Sequence, residues 1–199
     1  MSLVIVDTGV ANIASVVFAL ERLDVTPLVS AAPEVIAGAE RVIIPGVGAA
    51  PLAMKNIEAR GLKPVLQALT QPVMGICLGM QLIFETLQEG GAATAGLGLV
   101  PGTISLLDTG ELPSPHMGWN TLTPVKKDPL LDGIEAGDYA YFVHSFAAKI
   151  SEATLASSSY GEDFSAIVRH KNVWGCQFHP ERSSSAGARI LSNFLKVNP

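Results

Sequence analysis

At Pro72-Val73-Met74-Gly75-Ile76-Cys77-Leu78-Gly79-Met80-Gln81 a short apolar run passes straight into Gly-x-Cys-x-Gly and closes on Leu82-Ile83-Phe84, an apolar patch of helical character. That order predicts a sharp turn from strand into helix, the cysteine form of the nucleophile elbow. A Cβ at Gly75 or Gly79 would crowd such a turn. The turn holds its central residue in a sparsely populated backbone conformation, with the Cys77 sulfur above the sheet. Cys77 then sits at a helix N-terminus, where free N–H groups and the macrodipole favour thiolate over thiol. Two readings fit this stretch alone. Cys77 is a catalytic nucleophile, or it is an inert cysteine buried between core glycines, since free cysteine is among the most buried residue types.

The strand feeding the elbow belongs to a series. Leu3-Val4-Ile5-Val6 reads as a buried first strand ended by Asp7-Thr8-Gly9, Leu28-Val29-Ser30 as a second and Arg41-Val42-Ile43-Ile44 as a third. Asn12 is a plausible N-cap for a helix carrying Ile13, Val16, Val17, Leu20 and Leu23 on one face. Further helices are expected around Leu52–Arg60 and Leu62–Leu69. Strands alternating with helices predict an α/β fold, a parallel sheet covered on both faces, with ligands bound at the carboxyl ends of its strands. Asp7-Thr8-Gly9, Pro45-Gly46-Val47-Gly48 and Cys77 all fall at such ends.

After Gln88 the texture changes. Glu89–Gly98 reads as a Gly- and Ala-rich loop. Short strand-like runs follow at Thr103–Leu107, Tyr139–Val143, Thr154–Ser158, Ala166–Arg169 and Val173–Cys176, separated by turns such as Gly161-Glu162-Asp163 and Lys171-Asn172. They predict additional antiparallel strands in the second half, and a last helix about Ser185–Lys196 buries Ile190, Leu191, Phe194 and Leu195. With no repeat or low-complexity linker, the 199 residues read as one domain, 1–199. Hydrophobic residues make up 48% and charged residues 16%, which suits a fully buried sheet and excludes disorder. A net charge of −5, with no Lys/Arg cluster beyond Lys126-Lys127, gives nucleic acid no electrostatic footprint. The two cysteines form neither a disulfide framework nor a metal-ligand spacing. The start lacks a basic n-region, and the uncharged run Gly90–Leu107 is broken by glycines and Pro101. A soluble, cytoplasmic protein without a membrane span is expected.

A cysteine nucleophile needs a base that takes its proton and returns it to the leaving group. Of four histidines, His179 ends the run Trp174-Gly175-Cys176-Gln177-Phe178 and continues as Pro180-Glu181. Proline turns the backbone there, so that His179 faces the site and Glu181 reaches back to its other ring nitrogen, the orienting role of a triad. Alone, His-Pro-Glu is an ordinary surface turn; beside the elbow it reads as a base and its carboxylate. In Pro45-Gly46-Val47-Gly48, glycines on both sides of Val47 permit its peptide N–H to be presented to a developing oxyanion, with the Leu78 N–H as second donor. A simple strand-to-helix turn is the alternative.

Together Pro45-Gly46-Val47-Gly48, Gly75-Ile76-Cys77-Leu78-Gly79-Met80-Gln81 and Gln177-Phe178-His179-Pro180-Glu181 resemble the triad-type (class I) glutamine amidotransferases. Asp7-Thr8-Gly9-Val10-Ala11-Asn12, Pro115-His116-Met117-Gly118-Trp119-Asn120 and Tyr141-Phe142-Val143-His144-Ser145-Phe146 narrow the resemblance to the family of glutaminase subunits of imidazole glycerol phosphate synthase, over nearly the whole chain. The resemblance implies a flavodoxin-like glutaminase fold and no cofactor or metal. Cys77 would attack the glutamine side-chain amide, releasing ammonia and leaving a thioester, with His179 as acid and base and Glu181 its partner. Val47 and Leu78 would form the oxyanion hole, and Gly48, Gln81, Ser145 and Phe146 the glutamine pocket. Ammonia would pass to a (β/α)-barrel cyclase subunit in a heterodimer, which would make imidazole glycerol phosphate and the aminoimidazole carboxamide ribotide of histidine biosynthesis. Asn12, His116, Met117, Trp119 and Asn120 would face that partner. One departure is visible: the family's usual Tyr is Phe146 here, a silent change if that position works through its backbone.

Other residues carry blander readings. Cys176 lies mid-strand and reads as packing. His144-Ser145 lacks the Gly-x-Ser-x-Gly that would expose a serine nucleophile. His170, beside Lys171-Asn172, reads as an exposed turn residue. Two competing functions remain at this level: a glutaminase of another pathway or stand-alone cysteine hydrolase, and an inactive regulatory module on the same fold. The His116–Asn120 stretch argues against the first, and intact Cys77, His179 and Glu181 against the second.

Overall fold

The computed structural model describes residues 2–91 and 93–198; Met1, Pro199 and Ala92, which falls in the loop read at Glu89–Gly98, lie outside the described residues. The first half alternates as the apolar runs dictate: β1 (Leu3–Val6), α1 (Ile13–Glu21), β2 (Leu28–Ser30), α2 (Pro33–Ala37), β3 (Arg41–Gly46), α3 (Ala50–Ala59), α4 (Leu62–Gln67), β4 (Val73–Cys77) and α5 (Leu78–Leu82). The strands pair in parallel in the order β2-β1-β3-β4. Each central strand feeds two cores. Leu3, Ile5, Met74 and Ile76 face one layer with Val16 and Leu20 of α1, while Val4, Val6 and Val73 face the other with Met54, Ile57, Leu62 and Leu66 of α3 and α4. Burial on both faces is why these strands are apolar without alternation. Asn12 does occupy the position before α1, but its side chain makes no capping hydrogen bond.

The second half comprises β5 (Phe84–Leu87), β6 (Thr94–Ala95), β7 (Val100–Leu106), β8 (His116–Thr121), β9 (Thr123–Pro124), β10 (Tyr139–His144), β11 (Phe146–Ala148), β12 (Thr154–Tyr160), β13 (Glu162–His170), β14 (Val173–Cys176) and α6 (Ser184–Phe194). β14 joins β4 in parallel, and β13, β12 and β9 continue the main sheet antiparallel. β11-β7-β5-β6 form a smaller sheet and β10-β8 a separate antiparallel pair. α6 packs Ile190, Leu191 and Phe194 onto the layer that α1 covers.

Three local expectations are corrected. The helix after the elbow ends at Leu82, and Phe84 opens a strand. Leu82, Ile83 and Phe84 are all buried, and a short, fully buried run has no periodicity that separates helix from strand. His116–Thr121, absent from the strand-like runs, is a strand. His170 closes β13 half-buried and is not an exposed turn residue.

Parallel pairing brings the carboxyl ends of β1, β3, β4 and β14 to one edge, and close backbone contacts fix the elbow there. A Cβ on Gly79 would lie 1.8 Å from the Ile44 carbonyl oxygen of β3, and one on Gly75 2.6 Å from that of Gly79. Both glycines are therefore demanded by contact between α5 and the sheet.

Candidate active site

Cys77 stands at the corner between β4 and α5 with φ +52° and ψ −112°, a conformation that non-glycine residues rarely adopt and that turns the side chain out of the sheet. It is 7% exposed, and its Sγ lies 3.8 Å from the Val143 carbonyl oxygen of β10. His179 follows β14 and is equally enclosed. Its backbone N–H donates to the Tyr141 carbonyl (3.0 Å), and a one-turn helix at Pro180–Arg182 brings Glu181 back so that Oε1 lies 2.8 Å from His179 Nδ1. Ser183, fully buried, locks this turn to β10: its hydroxyl donates to the His179 carbonyl (2.6 Å) and accepts from the Tyr141 N–H (2.9 Å). No sequence motif marked Ser183 for this positioning.

Burial alone would lower the His179 pKa. Hydrogen bonds to the Cys77 sulfur and to Glu181, and the charges of both, outweigh it and raise the pKa above its ordinary value. Among the described residues Glu181 Oε2 is buried without a hydrogen-bond partner, so the carboxylate's charge is answered chiefly through the imidazole that Oε1 holds. The arrangement favours the protonated imidazole of His179. Cys176, by contrast, is fully buried, and burial together with Glu181 pushes its thiol well above the usual range.

A cavity of about 310 Å³ opens over Cys77. Its wall includes Val47, Gly48, Leu78, Gln81, Ser145, Phe146 and His179, which the sequence grouped, and also Glu89, Pro115, Val143 and His144, which it did not. Glu89 was hidden in a stretch read as a loop. Its carboxylate accepts from the Ala50 N–H at the start of α3 (2.6 Å), which anchors it beside the cavity. The Phe146 carbonyl accepts from Gln81 Nε2 (2.9 Å), while the ring packs half-buried against the second core. Gln81 Nε2 also donates to Gln177 Oε1 (3.1 Å). The Val47 N–H is committed to the Val10 carbonyl, to which it donates (2.9 Å).

Of the residues expected on a partner surface, Asn12, Met117 and Trp119 are exposed, Met117 by 62% and Trp119 by 53%. Asn120 is half-buried and donates to the Ser159 carbonyl. His116 is corrected: at 2% exposure it lies inside, because alternation along β8 sends Met117 and Trp119 outward and His116 inward.

The chain matches the glutamine amidotransferase class-I family over residues 4–197. It is 51% identical over 208 residues to the imidazole glycerol phosphate synthase subunit HisH of Colwellia psychrerythraea, covering 98% of this chain and 92% of that one. To subunit HisH 1 of Vibrio vulnificus it is 48% identical over 198 residues, covering 98% and 97%. Among solved structures, a glutamine amidotransferase superposes with a TM-score of 0.75 at 18% identity, covering 97% of each chain. PurLQS from Thermotoga maritima superposes with a TM-score of 0.71 at 20% identity, covering 98% and 97%. At that identity the superpositions bear on the fold, and the sequence matches carry the assignment: this chain belongs to the class-I glutamine amidotransferase family, alongside the HisH subunits of imidazole glycerol phosphate synthase.

Proposed function

We propose that this chain, acting over residues 1–199 as one amidotransferase domain, is the glutaminase subunit of an imidazole glycerol phosphate synthase. It hydrolyses glutamine to glutamate and ammonia and hands the ammonia to a cyclase subunit. The observation that carries the reading is Cys77 on a strained elbow, lining one cavity with a histidine that Glu181 holds at 2.8 Å, a cavity large enough for one amino acid. The Cys77 thiolate attacks the side-chain carbonyl carbon of glutamine, and the carbonyl electrons move onto oxygen. His179 then gives its proton to the amide nitrogen, which leaves as ammonia as the carbonyl re-forms in a thioester. Water attacks the thioester while His179 takes its proton, and collapse releases glutamate and restores the thiolate–imidazolium pair. Leu78, first residue of α5, has an N–H without an intrahelical acceptor and is one oxyanion donor. Val47 is the other once its peptide turns.

Exposed Met117 and Trp119, together with exposed Asn12, form the docking face for a (β/α)-barrel cyclase. Among the described residues no helix is long and apolar enough to cross a membrane, and the chain's composition suits work in the cytoplasm without nucleic acid. The test is glutamate release by the purified chain with and without the cyclase subunit. Release that rises when the cyclase and its nucleotide are added supports the reading; no release under either condition overturns it.

Glu181→Gln is expected to lower kcat by about 10², within the usual range for a general acid–base contribution, with little change in KM. The amide cannot stabilise the imidazolium, although a preformed thiolate softens the loss. A near-wild-type kcat would make Glu181 structural. Glu89 is the carboxylate on the cavity wall and the group suited to the α-ammonium of glutamine. Glu89→Gln keeps an acceptor for the Ala50 N–H but loses the charge, so KM is expected to rise about tenfold or more, the worth of a charged hydrogen bond, with kcat nearly unchanged. Steady-state kinetics that leave KM in place would remove Glu89 from substrate binding.

A further inference from the structure

His116 and His144 have no part in the chemistry above, yet both are buried and joined to the cavity wall. Asn120 Nδ2 lies 3.3 Å from His116 Nε2, His116 Nδ1 lies 3.0 Å from His144 Nε2, and His144 Nδ1 lies 2.9 Å from the Phe146 carbonyl oxygen. The polarity of this chain is forced from both ends. A carbonyl only accepts, so His144 carries its hydrogen on Nδ1; an amide nitrogen only donates, so His116 Nε2 accepts. The remaining link then runs from the His116 Nδ1–H to His144 Nε2, and both rings are neutral. Burial holds both in that state, His116 with its pKa lowered to about 4 and His144 to about 3. Asn120 is itself pinned, donating its other hydrogen to the Ser159 carbonyl (2.9 Å) and accepting from the Thr121 N–H (2.8 Å).

Packing alone does not call for these polar rings. His116 is stacked between Phe142 and Tyr160, where a phenylalanine could stack without two polar nitrogens to satisfy. What the chain reaches is the informative part. The Phe146 carbonyl also takes Gln81 Nε2, whose other hydrogen goes to Gln177 Oε1. Both hydrogens of the Gln81 amide are thereby committed, and its Oε1 is left to accept from an N–H in the cavity.

We propose that His116 and His144 are positioning residues for glutamine: a one-way relay of hydrogen bonds from Asn120 through both rings to the Phe146 carbonyl sets the wall that orients Gln81, and ties that wall to the strand whose outer face carries Met117 and Trp119. The proposal rests on the glutamine reading of the cavity. It gives β8 two functional faces, one toward the partner and one toward the substrate, and so a route between them that bypasses the oxyanion peptide.

Two measurements test it on the full chain. Long-range proton–nitrogen NMR of the four histidine rings is expected to find His116 and His144 neutral and protonated on Nδ1 at neutral pH, the minority form of free histidine; an Nε2–H form or a charged ring at either residue overturns the relay. In the complex with the cyclase, His116→Phe is expected to raise the glutamine KM about tenfold while kcat stays within about twofold, as befits a lost donor to a buried acceptor. His116→Asn, whose side-chain amide can donate near the Nδ1 position, is expected to recover most of that affinity. A wild-type KM in His116→Phe, or no recovery in a folded His116→Asn, overturns the positioning role. Failure of the wild-type complex to consume glutamine would instead overturn the glutamine reading and leave the ring tautomers as they are.

Discussion

Cys77→Ala is expected to abolish glutamine-dependent turnover of the assembled enzyme, by at least about 10⁴-fold and towards the loss of about 10⁶ seen when a nucleophile is removed from a triad. The reaction driven by added ammonia should persist at the wild-type rate. This split follows from the proposed division of labour, in which ammonia is released over Cys77 at the carboxyl end of β4 and the cyclisation belongs to the partner. The substitution leaves Gly75 and Gly79 in place, so the contacts that hold α5 against the sheet survive it. Loss of both activities in a well-folded complex would sink the assignment. Cys176 is the internal control. It is sealed in the first core with its thiol pushed up, whereas Cys77 borders the cavity. A small alkylating reagent should therefore modify Cys77 alone, and Cys176→Ala should retain glutaminase activity.

The motifs that could be read from sequence are those whose chemistry is local. Gly75, Cys77 and Gly79 specify a backbone turn within five residues, and His179 and Glu181 are brought together by one proline-led turn. Long apolar runs gave away the parallel strands for the same reason, since burial on both faces leaves no polar residue to mask them. What stayed hidden is what only tertiary pairing creates. Glu89 sits in a Gly- and Ala-rich stretch and acquires its place through the distant Ala50 N–H. Ser183 matters through Tyr141, and His116 through His144, partners 42 and 28 residues away. The resemblance implies that His116, within the His116–Asn120 segment, faces the partner. Pairing with β10 instead made the segment a strand, and alternation then turned its histidine inward.

The orientation of the Val47 peptide sets the second large effect. In the chain alone its N–H is held by the Val10 carbonyl at 2.9 Å, so the proposed oxyanion hole lacks one of its two donors. The acceptor is firmly held. Arg60 donates to the Asp7 carbonyl (2.6 Å), Asn56 to the Thr8 carbonyl (3.2 Å), and the Gly9 N–H to Asp7 Oδ1 (2.8 Å), bracing the turn that leads into Val10. A missing oxyanion donor costs about 10²–10³ in rate, so the isolated chain should bind glutamine yet hydrolyse it at least that much more slowly than the complex. Turning the Gly46–Val47 peptide toward Cys77 breaks one hydrogen bond, worth about 1 kcal/mol, and glycine at position 46 tolerates the change in ψ. That cost is small enough for a docked, nucleotide-loaded cyclase to meet. Asn56→Ala with Arg60→Ala should loosen the Asp7–Gly9 turn and raise the partner-free rate several-fold, with little change in the activated rate. Trp119→Ala, which removes a ring packed edge-on against Tyr141, should weaken partner binding or activation while leaving the His179–Glu181 hydrogen bond in place. Full glutaminase activity of the purified chain without any partner would refute the switch, because a hole lacking its Val47 donor cannot support it.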